Sequence, residues 1–131
     1  MHHMVIAVMD SLPVLLNTVE AEFSIKEDWP WAVDEWRRIL DTSPVPLFAI
    51  DDIRAMSVSL GDMLDFASLG SRGNDPIWRH PKLRGIYFIS DSKLIHTAAA
   101  GLNSPTFGNT PARAFDTLEE ALADIERTLA S

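Results

Sequence analysis

Leu47-Phe48-Ala49-Ile50-Asp51-Asp52 is the stretch that decides the fold. Side chains alternate faces along a strand, so an unbroken apolar run closed by carboxylates makes a strand that is apolar on both faces. Strands of that kind lie in parallel sheets covered by helices. A second run, Gly85-Ile86-Tyr87-Phe88-Ile89, has the same character. Parallel neighbours cannot be joined by a tight turn, so a helical crossover is expected between them.

Working outward, Val5-Ile6-Ala7-Val8-Met9 reads as a strand and Asp10-Ser11-Leu12-Pro13 as a turn. Val19, Ala21, Phe23 and Ile25 then alternate with Glu20, Glu22, Ser24 and Lys26. That period-2 pattern predicts a second strand with one wet face, and hence an N-terminal hairpin. A helix follows, opened by Asp28 and Pro30, with Ala32, Val33, Trp36, Ile39 and Leu40 on its inner face. Ser43-Pro44-Val45-Pro46 stops it.

Ser59 and Asp62 have capping-box spacing and start a second helix with Leu60, Met63, Leu64 and Ala67 inward and Gly70 as its stop. A third helix is expected over Lys93–Ala100, ended by Gly101. Ala112–Phe115 reads as a short strand, and Thr117 and Glu120 open a last helix with Leu118, Ala121, Leu122, Ile125 and Leu129 on its core face. Alternating strand and helix gives one α/β domain over residues 1–131, with a mixed, mostly parallel sheet of about five strands and four main helices.

Composition narrows the function classes. The chain has 131 residues, 47% of them apolar, which is a globular balance. Its net charge of −8 argues against nucleic acid and anionic lipid as partners, since both need a basic face. No apolar run approaches the roughly 20 residues of a membrane span. There is no cysteine, so thiolate chemistry is excluded and a cytoplasmic location is expected. No leader peptide is expected, because the N-terminus lacks basic residues before its apolar stretch.

No glycine-rich phosphate loop or nucleophile-elbow motif is present, so a non-enzyme without a cofactor is expected. Asp51 and Asp52 stand at the carboxyl end of a buried strand, where ligands gather in open α/β sheets. Neighbours on a strand point to opposite faces, so the pair is expected to end the strand and cap the turn rather than act together. His80 and His96 do not share the spacing that puts metal ligands on one helical face, and no metal site is expected. Trp36 is expected in the core, and Trp29 and Trp31 are expected to pack under the hairpin. Arg72, Arg79, Lys82 and Arg84 concentrate in one segment with Trp78 and His80. That segment is a candidate loop for an anion or an acidic partner. On the element order it lies at the amino end of the sheet, beside the Leu102–Pro111 loop and opposite Asp51.

Four stretches together resemble the SpoIIAA-like group of STAS domains and the related CRAL-TRIO-type fold. They are Trp31-Ala32-Val33-Asp34-Glu35, Pro46 through Asp51, His80-Pro81-Lys82-Leu83-Arg84-Gly85-Ile86-Tyr87, and Ala114-Phe115-Asp116-Thr117-Leu118-Glu119-Glu120-Ala121-Leu122. The resemblance implies a bacterial regulatory module acting through a protein partner, often switched by phosphorylation of a serine at the start of the helix after the central strand. Here that place is taken by Ser57-Val58-Ser59-Leu60-Gly61, without the family's Asp before the serine. Ser57 and Ser59 are the candidate switch or anion site, with Ser59 the expected helix cap and Ser57 the freer hydroxyl. A homodimer is a further expectation, because open sheets have edges to cover. A carrier or sensor of a small apolar or anionic ligand is the alternative function; an enclosed apolar pocket of roughly 300 Å³ or more would favour it.

Overall fold

The computed structural model describes residues 2–71, 73, 75–102 and 111–131. Its strands are β1 (Met4–Val8), β2 (Val14–Val19), β3 (Leu47–Asp52), β4 (Leu83–Ile89) and β5 (Ala112–Phe115). Its helices are α1 (Ile25–Thr42), α2 (Leu60–Gly70), α3 (Lys93–Leu102) and α4 (Leu118–Ala130), with a 3₁₀ turn at Ile77–Arg79. The strands form one sheet in the order β1-β2-β3-β4-β5. β1 and β2 pair antiparallel, and every later pairing is parallel. The class is therefore the mixed α/β sheet with an N-terminal hairpin that the sequence predicts.

Each helix is assigned to a face by what it buries. Trp29 and Trp36 of α1, Met63 and Phe66 of α2, and Ile95 and Ala99 of α3 join one core with Leu15, Ala49, Ile86 and Phe88. Ala121 and Ile125 of α4 join the other with Val14, Phe48, Ile50, Tyr87 and Ile89. Val14/Leu15 and Phe48/Ala49 split between the two cores, as the period of a strand requires. A polar clamp holds α4 in place. The Tyr87 hydroxyl donates to buried Asp124 at 2.8 Å, and Arg113 reaches the same carboxylate at 3.0 Å. Burial, and then the bond to Asp124, push the Tyr87 hydroxyl up to about 12.

Several expectations are corrected. The second strand is Val14–Val19, not Val19–Lys26. Val19, Phe23 and Ile25 are buried, but they belong to a strand end, a turn and a helix start, while Ala21 is exposed. Ser24 is the reason the helix begins there: its Oγ accepts the Glu27 N–H, and its own N–H donates to Asp28 at 2.8 Å. Pro30 then sits inside α1, where it supplies no N–H to the Lys26 carbonyl. α3 runs through Gly101 to Leu102 instead of stopping at the glycine.

On α2, Leu60 and Leu64 are exposed, and the buried residues are Met63, Phe66, Ala67 and Gly70. The Trp78 indole lies against Gly70 so closely that a Cβ there would overlap it. The Trp78 Nε1–H donates to the Ala67 carbonyl at 3.0 Å, which locks that rotation of the helix. Gly70 does end α2, but its lack of a side chain serves Trp78. Leu129, expected inward on α4, is 39% exposed near the helix end.

Candidate functional site

Two groups of residues at the carboxyl end of the parallel strands carry the chemistry: the entrance to α2, and a cavity behind Asp51. The entrance is built by a capping box. Ser59 Oγ accepts the Asp62 N–H at 3.1 Å, and Asp62 Oδ2 accepts the Ser59 N–H at 3.0 Å. The hydroxyl of Ser59 is thus engaged at the helix start. Ser57 lies two residues upstream, exposed, in the wall of an open groove of about 310 Å³ with Phe23, Met56, Asp62 and Asp65.

The chain between β3 and α2 folds back over the sheet end. Asp52 behaves as a turn carboxylate: it accepts the Arg54 N–H at 3.3 Å and binds the Arg54 guanidinium at 2.7 Å. The Arg54 guanidinium holds the Asp52 carboxyl below the usual carboxylate range, against partial burial. Asp51 does not cap the turn, contrary to the sequence expectation. It points to the opposite face, is 2% exposed, and among the described residues neither carboxylate oxygen has a hydrogen-bond partner. Burial pushes its carboxyl up to about 8, and the side-chain amide of Asn17, its neighbour across the ladder, offsets part of that rise.

Asp51 lines an apolar cavity of about 30 Å³ with Phe23, Trp29, Met56, Met63 and Phe66 among its walls. Trp29 is fully buried against Trp36, Phe66 and Trp78, with ring centres 5.0, 4.6 and 5.7 Å away. Its indole Nε1 is also without a partner among the described residues. Trp31, its neighbour across Pro30, stacks on His2 at 4.3 Å instead. The sequence singles out both Asp51 and Trp29, but not their meeting. The usable signal is parity: Asp51 shares its side of β3 with Leu47 and Ala49, both in the core under α1 and α2.

The basic segment is not gathered around one point. His80 is buried; its Nδ1 accepts the Lys82 N–H at 3.0 Å, so its Nε2 carries the proton donated to Asp41 at 2.7 Å. Lys82 Nζ donates to the Ser43 carbonyl. The Arg84 guanidinium lies 4.6 Å from the centre of the Phe48 ring. Arg79 is exposed in the 3₁₀ turn. Arg72 and most of the Leu102–Pro111 loop fall outside the described residues. His96 Nε2 pairs with the Ser90 carbonyl at 2.8 Å and with Asp116 at 3.1 Å. Among the described residues, no cluster of three or more His, Asp or Glu side chains is placed to hold a metal ion. No helix there is long and apolar enough to cross a membrane.

No family model matches the sequence, and no curated protein matches it at a significant level. A solved structure does match: an uncharacterized protein of the DUF3478 family with a SpoIIAA-like fold, from Shewanella loihica PV-4. It is 19% identical, aligns over 95% of each chain, and gives a TM-score of 0.66. The chain therefore has a SpoIIAA-like fold, as the resemblance in its sequence implies.

Proposed function

We propose that this protein is a non-catalytic regulatory module that acts by binding another protein, with the outer face of α2 as its docking surface. One observation carries the reading: Leu60 and Leu64, one helical turn apart on α2, are 59% and 53% exposed beside the exposed Ser57. An amphipathic helix of a self-sufficient domain turns such residues inward. Here the inner positions are taken by Met63, Phe66 and Ala67. Adjacent exposed leucines form the kind of apolar strip that marks an interaction site. Asp62 and Asp65 lie around the helix from the strip, on the groove that carries Ser57, so the fitting partner for the leucines presents an apolar groove. The STAS-like resemblance supports the same reading, and so does its placement of a switch serine at this helix. The absence of cysteine supports a cytoplasmic setting.

The test is affinity capture from the native cell with wild-type protein and with the Leu60→Glu/Leu64→Glu variant. Each captured protein is then purified for pairwise calorimetry. A partner that binds the wild type and loses at least about tenfold in affinity for the variant supports the proposal. Equal binding of both forms by every purified partner removes α2 as the docking face. A second copy of the chain is the competing occupant. Light scattering that gives twice 14.6 kDa for the wild type and one chain mass for the variant would assign the strip to a homodimer.

A further inference from the structure

β1 is an edge strand, and its outer side faces no other strand among the described residues. The direction of its backbone groups follows from two bonds at its ends. The Met9 N–H donates to the Val14 carbonyl and the Glu20 N–H to the His3 carbonyl, both at 2.9 Å. Val14 and Glu20 are the partners that the β1–β2 register assigns to Met9 and His3. Bonded and non-bonded positions alternate along an antiparallel pair. Val5 and Ala7 therefore bond inward to β2, and Met4, Ile6 and Val8 direct their N–H and C=O groups to the open edge.

Edge strands of natural sheets are usually blunted by a charge, a proline or a bulge. β1 has none of these. Its sequence is Met-Val-Ile-Ala-Val, and its register with β2 runs unbroken. The 19 acidic and 11 basic residues of the chain all fall outside residues 1–9. The opposite edge differs: β5 is shorter and carries the exposed, charged Arg113. The side chains of β1 are open as well. Met4 and Ile6 turn towards the core under α1 and α2. Val5 and Ala7 turn to the other face and are exposed, Val5 at 59%, and Val8 at the strand end is 49% exposed.

We infer that the free edge of β1 pairs antiparallel with β1 of a second copy of this chain, about a dyad at Ile6, to join two five-stranded sheets into one. The occupant follows from symmetry and charge. The outward residues Met4, Ile6 and Val8 are symmetric about Ile6. An antiparallel copy sets Ile6 opposite Ile6 and Met4 opposite Val8, so every outward N–H meets a carbonyl. Between them, Val5 of one copy falls opposite Ala7 of the other, a large exposed side chain against a small one. A foreign strand added to a sheet edge is selected by side-chain pockets or charges beside it. Residues 1–9 offer no charge to select one, and in a chain of net charge −8 a charge-free edge is what lets two copies approach. The pairing is independent of Leu60 and Leu64, so it stands if the α2 docking face fails.

The first experiment is disulfide trapping, which suits a chain without cysteine. In the paired edge the two Ile6 Cα atoms lie about 5.5 Å apart, within disulfide range. Ile6→Cys is expected to form a reducible dimer in a glutathione buffer at least about tenfold faster than Leu60→Cys, because paired thiols react at a high effective concentration. Cross-linking of Ile6→Cys no faster than Leu60→Cys would overturn the inference. The second is sedimentation equilibrium up to about 500 µM, which populates a small interface of micromolar affinity. The wild type and the Leu60→Glu/Leu64→Glu variant should both approach twice 14.6 kDa. Val5→Glu/Ala7→Glu should stay at one chain mass, with an unchanged circular dichroism spectrum because both side chains are exposed. A wild type that remains at one chain mass, or a dimer that survives Val5→Glu/Ala7→Glu, would also overturn it.

Discussion

Asn17 and Asp51 face each other across the β2–β3 ladder, and their buried side chains are in opposite circumstances. The Asn17 carbonyl accepts the Trp36 indole N–H at 2.9 Å, and its amide donates to the Leu15 and Ile50 carbonyls. Among the described residues, the Asp51 carboxylate has no bond at all. One residue ties α1 to the sheet; the other is buried beside it without an equivalent tie.

The tie is testable by removing its donor. Trp36→Phe keeps most of the buried ring area and orphans the Asn17 Oδ1. Urea unfolding should show a loss of about 1–3 kcal/mol, the usual consequence of an unsatisfied buried acceptor. An unchanged midpoint and slope would mean that the bond contributes nothing net.

Asp51 sets a pH dependence of opposite sign to most carboxylates. Its folded-state value is raised from the ordinary 3.8 to about 8, so the folded protein holds a proton that the unfolded chain releases. The stability this contributes is full below the ordinary carboxylate value and is lost as pH rises toward and through about 8. Asp51→Asn should therefore be more stable than wild type at pH 8, on the order of a few kcal/mol, with the gain shrinking toward pH 4. Thermal melts of both proteins across that range check it; parallel curves would refute it.

The two serines before α2 should separate under mutation. Ser59→Ala breaks the capping box and should cost about 1 kcal/mol. Ser57→Glu changes an exposed side chain and should leave stability within about 0.5 kcal/mol, while altering affinity for any partner that docks on α2. Denaturant titration reads the first effect and pairwise calorimetry the second.

Gly70→Ala puts a methyl group into the Trp78 indole. Overpacking of this kind should cost about 1–3 kcal/mol and shift the Trp78 fluorescence. A stability equal to wild type would show that α2 slides away from the indole freely.

How much of this was legible follows from the kind of signal each element leaves. β3 and β4 are buried on both faces, so they leave continuous apolar runs, and the shortness and β-branched and aromatic content of those runs favour strands. The caps at Ser59 and Thr117 were legible because a cap is a local, four-residue event, and both accept the expected backbone N–H. The period-2 pattern predicts the hairpin but sets its second strand after Val19, whereas the strand is Val14–Val19. Burial at Val19, Phe23 and Ile25 imitates a period of two, although only Val19 is in a strand. The face of α2 was ambiguous, since Leu60-Met63-Leu64-Ala67 and Met63-Phe66-Ala67-Gly70 both have helical spacing. Trp78, from a later turn, decides between them. The cavity was out of reach because it depends on which parts of α1, α2 and the hairpin meet above Asp51.

The sequential strand order also bears on how the protein is made. As the chain leaves the ribosome, each new strand joins the edge of the strand finished just before it, and none has to wait for a partner still to be synthesised. α1, α2 and α3 cover one side of the sheet as they emerge. α4, which emerges after them, is the helix among the described residues that packs over Phe48, Ile50, Tyr87 and Ile89. Until it does, the nascent protein shows that greasy side to the cell, and a chaperone that reads exposed hydrocarbon has its longest opportunity there.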